Sequence, residues 1–200
     1  MLPIELFLIS TTKSLQGFIV SVFGLGIVIF FQIRARFGKT IQNAYLSVAA
    51  LFSSLIILGM LQIGPLTQFV YKSSVSIRGE YWRAGFKMFK NSPIWGIGLD
   101  SYGDFYRRMR DSSALVLPGI NVQTDTAHNV FLDILAGGGL LLFLPYIFLQ
   151  FFVGYRALKH IIKNHQYDPL FIAICVGWIG YLAQSLISIN QIGVAIWGWI

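Results

Sequence analysis

His128 is the side chain best suited to acid–base chemistry in this sequence. It opens the string HNVFLDILAGGG, where a long polar segment gives way to an apolar run. A neutral imidazole near pH 7 accepts a proton from a hydroxyl, and such general-base catalysis contributes about a hundred- to ten-thousand-fold in rate. The alternative interpretation is an interfacial histidine that caps the following helix or lies among lipid head groups.

Arginines upstream of this histidine indicate an anionic substrate. Arg78 and Arg83 flank Trp82, and guanidinium groups suit paired phosphate oxygens and stay charged at any relevant pH. These two arginines are therefore candidates for binding a pyrophosphate. The competing explanation for any one of them is a side chain that reaches lipid phosphates. Three further arginines are more typical of membrane-surface anchors: Arg107, Arg108 and Arg110.

One acid, Asp133, follows within the apolar run. Intramembrane acids usually face a protein interior, and the sequence leaves open whether Asp133 orients His128, orients an arginine or serves helix packing. Metal chemistry has little support, because His160 and His165 belong to a different connection and no ligand cluster accompanies His128. A glycine-rich phosphate loop is also missing from the sequence. We therefore expect no cofactor, and arginines must neutralise any leaving diphosphate.

The composition is that of a membrane protein. The chain is 56% hydrophobic and 12% charged, whereas soluble domains are roughly half apolar and about a quarter charged. The net charge of +7 fits anionic lipids or phosphate-bearing substrates, and no nucleic-acid-binding module is visible, so a nucleic acid partner is not expected. Cys175 is the single cysteine, which excludes an internal disulfide.

Four apolar runs predict membrane-spanning helices and an all-α fold class, a polytopic helical bundle. The runs cover residues 15–33, 41–63, 129–153 and 169–189. The first would be about 28 Å long as a helix, close to the roughly 30 Å hydrocarbon thickness of a bilayer. Residues 1–10 are too short to span, and 193–200 stop within an apolar stretch, so the chain is expected to be a fragment of a larger membrane protein.

Two short cationic connections without acids predict the orientation of the spans. They lie near residues 34–40 and near 154–167, and both are expected in the cytoplasm by the positive-inside bias. The chain then divides into transmembrane helices over 1–63, an extracytoplasmic loop over 64–127 and transmembrane helices over 128–200.

The 64–127 loop is predicted to contain two amphipathic helices. The first has Ser76 as its N-cap and ends at 91–93, and its helical spacing joins Arg78, Trp82, Phe86 and Phe89. The second follows Ser101, with Asp104 completing a capping box. Between them, PIWGIG indicates a turn whose glycines allow close backbone approach. The glycines at 137–139 predict tight helix contact.

The string RGEYWRAGFKMFKNSPIWGIG, followed by TAHNVFLDILAGGGLL, resembles the O-antigen ligase and polymerase superfamily of bacterial membrane glycan transferases. In that family an Arg precedes a Trp by four residues, a Pro-x-x-Gly-x-Gly turn follows, and a His-Asn pair begins a helix with a Gly about ten residues on. The corresponding residues are Arg78, Trp82, Pro93, Gly96, Gly98, His128, Asn129 and Gly139. TTKSLQGFIV resembles the family's Thr-x-Ser-Arg-Gly motif, but its arginine is absent and Lys13 and Gln16 are the nearest substitutes.

The resemblance implies the C-terminal half of a GT-C-like transferase. Such enzymes move a glycan from undecaprenyl pyrophosphate to a hydroxyl of an acceptor glycan, lipid A core or protein, at the outer face of the bacterial inner membrane, without metal or nucleotide. It assigns His128 as catalytic base and Arg78, Arg83, Trp82 and Asn129 as substrate-binding residues. Whether the chain is a ligase or a polymerase stays open.

A transporter or flippase is the alternative function. In that hypothesis Arg78, His128 and Asp133 line a substrate or proton path through the membrane. Many transporters have internal repeats, and the first and second pairs of apolar runs show no similarity to each other. The sequence therefore favours the enzyme.

Overall fold

The computed structural model describes residues 7–8, 11, 15–71, 73–164 and 166–199, and this part of the chain is all-α, as predicted. A 3₁₀ turn lies at Ser112–Leu115. The α-helices from residue 15 onward are α1 (Leu15–Arg36), α2 (Lys39–Met60), α3 (Thr67–Val70), α4 (Ser73–Asn91), α5 (Tyr102–Met109), α6 (Val130–Lys163), α7 (Pro169–Ser185) and α8 (Ile192–Trp199).

Three of these helices, α1, α2 and α6, are long and apolar enough to cross a membrane. At 1.5 Å per residue, each of them exceeds the roughly 30 Å hydrocarbon thickness. The fourth predicted span is shorter than expected. Its helix α7 has 17 residues and measures only about 25 Å.

The connection predicted near 154–167 is mostly helical, because α6 continues through Lys163. Arg156 and Lys159 therefore lie on the last turns of this helix and not in a loop. At the end of α1, Arg34 donates a hydrogen bond from Nη2 to the carbonyl oxygen of Ile161 at 2.5 Å. The cationic end of α1 thus contacts the last turn of α6.

The chain forms two compact units. The first contains α1, α2, α3, α7 and α8, together with the end of α6. Within it the Tyr45 hydroxyl donates to the carbonyl of Gly26 at 2.8 Å, and the Tyr45 ring stacks on Phe30. The second unit comprises residues 72–160 and 185–192 and holds the predicted site residues His128, Arg78, Arg83, Trp82 and Asn129.

The second unit has a buried core between α4, α5 and the start of α6. Its members are Tyr81, Ala84, Met88, Tyr102, Tyr106, Ala127, Leu132 and Ala136. The Tyr102 hydroxyl donates to the carbonyl of Tyr81 at 2.5 Å, and Tyr81 packs edge-on against Tyr106. These contacts fix α4 against α5 and against the segment that carries His128.

Two details of the first predicted amphipathic helix are wrong. Helix α4 begins at Ser73, so Ser76 lies inside it and is not its N-cap. Its buried face contains Tyr81, Ala84, Gly85 and Met88. This face is rotated from the predicted one, which included Phe86, and Phe86 is 51% exposed.

The capping box predicted for α5 does not form. Helix α5 begins at Tyr102 as expected, but the side chain of Ser101 makes no cap hydrogen bond to it. The backbone of Ser101 (φ −89°, ψ 3°) is not in the extended conformation typical of a cap, and its hydroxyl donates to Leu99 instead.

Helix α6 is interrupted at Gly139, which has φ 59° and ψ −162°. In a continuous helix the amides of Leu140 and Leu141 would bond to the carbonyls of Ala136 and Gly137. Those two carbonyls instead accept from Ile97 and Gly98, both at 2.9 Å, while the two amides donate to Pro93 at 2.8 Å and Ile94 at 3.2 Å. The PIWGIG loop (residues 93–98) is thus inserted into the helix break and satisfies its backbone groups.

The glycines of this junction are required by the close backbone approach. A Cβ on Gly96 would collide with the Gly137 carbonyl, and one on Gly139 would collide with the Ile94 carbonyl. Both glycines also have positive φ, which other residues rarely adopt. The predicted close approach is therefore present, but the partner of the 137–139 glycines is a loop backbone and not another helix.

Candidate active site

His128 lies at the bend that leads into α6, in a backbone conformation that is unusual for histidine. Its φ is 55°, in the left-handed region where residues other than glycine are strained and often functional. The Thr126 hydroxyl oxygen accepts a hydrogen bond from the His128 amide at 3.3 Å and lies 3.2 Å from ring atom Nδ1. The threonine therefore holds both the backbone and the ring of the histidine.

The surroundings of His128 favour its neutral form. Its ring centroid is 5.4 Å from that of Tyr81, in the core of the second unit. Burial lowers the pKa of His128 below its ordinary value of 6.5, and the positive charge of Arg78 lowers it further. At pH 7 the imidazole is therefore predominantly unprotonated and able to accept a proton.

Arg78 and Trp82 present buried donors without partners on α4, the helix whose Tyr81 packs against this histidine. Arg78 Nε and Trp82 Nε1 are both buried and have no hydrogen-bond partner in the described structure. Burial also lowers the pKa of the Arg78 guanidinium, which nonetheless stays protonated. Unpaired buried donors are costly, so these two groups are suited to an incoming acceptor such as a phosphate oxygen.

Arg83 also flanks Trp82 in the sequence, but its guanidinium is already paired with acidic residues and does not offer a buried free donor. Its side chain is 54% exposed and forms ion pairs with Glu80 and, at 3.6 Å, with Asp111. Glu80 also accepts from the Ser113 hydroxyl at 2.9 Å. The structure thus gives Arg83 a role in joining α4 to the 3₁₀ turn.

Asn129 is the N-cap of α6. Its Oδ1 accepts from the Leu132 amide at 3.0 Å, and its Nδ2 donates to the Leu186 carbonyl at 3.0 Å. Capping of this kind stabilises a helix start by about 1 kcal/mol. Both ends of the amide group are therefore used to position the segment next to His128.

Asp133 anchors the same segment from one turn inside α6. Its Oδ1 accepts from the Ala127 amide at 2.6 Å, which fixes the residue directly before His128. Of the three roles left open by the sequence, the structure supports orientation of the histidine segment. The only signal for this role in the sequence was an acid five residues after the histidine.

The three arginines at the end of α5 make only local contacts among those described. Arg108 lies over the Phe105 ring at 5.5 Å and Arg110 over the Tyr106 ring at 6.0 Å. Arg110 also donates to the Ile120 carbonyl at 3.1 Å, while Arg107 is exposed. Arg110 therefore fixes the loop that follows the 3₁₀ turn.

Thr126, which contacts His128, also lines a cleft of about 210 Å³. Its floor is formed by the junction of the PIWGIG loop with α6, and its walls include Asp100, Asp125, Asp133 and Asn190. Among the described residues, this lining has three carboxylates and one side-chain amide but no lysine or arginine. Its charge is therefore opposite to that of the Arg78 surroundings.

These features define an all-α membrane protein. A histidine directly before a spanning helix is exposed there to the positive charge of a buried arginine. The chain belongs to the O-antigen ligase family, which it matches over residues 3–147. It is thus a membrane enzyme that transfers glycans, with a lipid-linked glycan and an acceptor as its general partners. No curated protein and no solved structure gives a significant match.

Proposed function

We propose that this protein transfers a glycan from undecaprenyl pyrophosphate to an acceptor hydroxyl, as an O-antigen ligase or polysaccharide polymerase, at the extracytoplasmic face of the bacterial inner membrane. One observation carries the proposal: the neutral imidazole of His128 packs against Tyr81 of α4, the helix on which Arg78 and Trp82 hold buried donors without partners among the described residues. This combination pairs a base for the acceptor with donors for the leaving group.

The reaction is an inverting displacement. The acceptor hydroxyl gives its proton to His128 while its oxygen bonds to the anomeric carbon, and the bond from that carbon to the pyrophosphate oxygen breaks. Negative charge then develops on the pyrophosphate, where Arg78 and the Trp82 indole donate hydrogen bonds. Donors already oriented toward developing charge account for a large part of the rate in many enzymes.

Thr126 selects the ring nitrogen that acts as the base. If Nδ1–H donates to the threonine oxygen 3.2 Å away, the lone pair of Nε2 is free to accept the proton. A hydrogen bond at one ring nitrogen thus sets the tautomer of the imidazole and leaves the other nitrogen unprotonated. Asn129 and Asp133 are positioning residues in this mechanism, because their contacts are to the backbone around His128.

We place the acceptor sugar in the cleft that Thr126 lines, with its reacting hydroxyl extending past Thr126 to His128. Carboxylate and amide oxygens accept hydrogen bonds from sugar hydroxyls, and the acidic lining disfavours a second pyrophosphate there. The volume of about 210 Å³ is below the roughly 300–1,000 Å³ of pockets for drug-sized ligands, so it suits one sugar ring. A transport path is not favoured, because Asp133 lines this cleft while Arg78 and His128 do not.

Replacing Arg78 with Lys is the sharpest test of the donor site. The charge is kept, but the fork of the guanidinium is lost, and one missing charge-assisted hydrogen bond costs about 1.5–3 kcal/mol. We expect transfer from a polyprenyl-pyrophosphate glycan to slow about ten- to a hundred-fold.

Arg83→Lys on the same helix is the matched control, since Arg83 is exposed and already paired. It should keep near-parental turnover in the same assay. Equal losses in the two variants would contradict a specific donor role for Arg78.

The pH dependence of transfer should report the imidazole. Protonated His128 accepts no proton, so the rate falls as the pH drops through its pKa, and the lowered pKa puts the midpoint below pH 6.5. Removing the charge in Arg78→Gln should move the midpoint of the residual activity upward, whereas Arg78→Lys should not. Initial rates between pH 5 and 8 measure this, and a midpoint above 6.5 in the parent would refute the assignment.

A further inference from the structure

The ends of the membrane-buried part of α6 can be read from its charges. Residues 134–155 carry no charged side chain, while Asp133 and Arg156 stand at the two ends of this run. The run corresponds to about 33 Å of helix, close to the roughly 30 Å hydrocarbon thickness. The hydrocarbon region therefore begins near Asp133 and ends near Arg156.

The PIWGIG loop is bonded to α6 inside this region. Its hydrogen bonds reach Ala136, Gly137, Leu140 and Leu141, which lie three to eight residues beyond Asp133. At 1.5 Å per residue this is about 4–12 Å inside the boundary. A loop attached by backbone hydrogen bonds at these positions shares the depth of the helix.

The composition of the loop fits such a depth. Residues 93–99 are uncharged, with Asn91 and Ser92 before them and Asp100 after them. Irregular backbone is tolerated at membrane depth only when its polar groups are satisfied within the protein. Here the Gly96 amide donates to Ser92 at 2.9 Å, and the other bonds go to the break in α6.

Three large apolar side chains of this segment are exposed: Ile94 (57%), Trp95 (72%) and Leu99 (65%). Leu141 of α6, whose amide bonds to Ile94, is also exposed. Because Leu141 belongs to a spanning helix, the medium covering it is hydrocarbon. The same medium then covers the adjoining loop, which is continuous with this lipid-facing surface.

We propose that residues 93–99 form a re-entrant loop that dips into the bilayer, with Ile94 and Trp95 in contact with lipid acyl chains. The loop returns to the membrane surface at Asp100, where α5 follows. This segment is thereby separated from the extracytoplasmic loop predicted for residues 64–127. The inference depends on the membrane insertion of α6 and does not require the transferase mechanism.

Cysteine accessibility tests the proposal, because Cys175 is the single native thiol. In a Cys175→Ser background, Trp95→Cys and Lys90→Cys are introduced into the full chain in phosphatidylcholine–phosphatidylglycerol nanodiscs. Exposed Lys90 serves as the control. A membrane-impermeant maleimide should label position 95 at least about ten-fold more slowly than position 90, with equal labelling after denaturation in SDS. Equal rates in nanodiscs would overturn the proposal.

A second measurement keeps Trp95 in place and tests whether lipid or protein surrounds its side chain. A variant whose only tryptophan is Trp95 should lose much of its fluorescence when the nanodisc lipids carry bromine on their acyl chains. It should also resist quenching by aqueous acrylamide. Fluorescence unchanged by brominated lipid would show that Trp95 does not contact acyl chains and would overturn the proposal.

Discussion

His128→Ala should lower glycan transfer by about a hundred- to ten-thousand-fold, the contribution typical of a positioned general base. The loss should appear in kcat, because the donor binds through Arg78 and Trp82, and these groups are unchanged in the variant. Single-turnover transfer from a polyprenyl-pyrophosphate glycan, followed together with donor binding, measures the two effects separately.

Thr126→Val is the companion variant. It removes the oxygen that lies near both Nδ1 and the amide of His128 but keeps the shape of the side chain. We expect a smaller loss than for His128→Ala, with rescue by Thr126→Ser. If His128→Ala transferred glycan at the parental rate, His128 would not be the base. If this variant still bound the donor normally, the assignment of Arg78 to donor binding would be unaffected.

Gly96→Ala should destabilise the protein strongly, because two independent costs coincide at this position. The positive φ costs about 1–3 kcal/mol for a residue with a Cβ, and this Cβ would also collide with the Gly137 backbone, which cannot move without breaking the loop–helix junction. A total above about 3 kcal/mol corresponds to a melting temperature lower by about 10 °C. Thermal unfolding of the purified protein in detergent measures it.

Two other glycines separate these contributions. Gly119 has φ 122° and nothing near its Cβ position, so Gly119→Ala reports the backbone conformation alone. Gly79 lies in α4 with neither strain nor contact, and Gly79→Ala should be neutral or stabilising. If Gly96→Ala and Gly119→Ala lowered the melting temperature equally, the close backbone approach would contribute nothing to stability.

The inserted loop also explains why the PIWGIG and AGGG strings occur together in one chain. Each string supplies the hydrogen-bonding groups that the other lacks: the helix break frees two carbonyls and two amides, and the loop satisfies all four. The junction holds α4, which carries Arg78, next to the helix that follows His128. Stability of the fold and geometry of the site therefore depend on the same contacts.

Much of the fold could be predicted from the sequence, because its determinants are local. Apolar runs long enough for a bilayer predicted α1, α2 and α6, and the extent of α7 was overestimated because Ser185 ends the helix before its apolar run stops. The buried face of α4 was misplaced, since the apolar Phe86 is exposed. Apolar character in a membrane protein does not distinguish burial against protein from exposure to lipid.

The sequence by itself determined that this is a helical membrane protein of the O-antigen ligase family, with His128 and Arg78 as the side chains most suited to its chemistry. Residue types and their order suffice for that, because hydropathy, charge and chemical reactivity belong to each residue. Only the tertiary structure decided which polar groups are left without partners: Arg83 and Asn129 are engaged by other residues, whereas Nε of Arg78 and Nε1 of Trp82 have no partner in the part of the chain that the structure describes. Pairing depends on contacts between distant segments, and the insertion of residues 93–98 into α6 is such a contact.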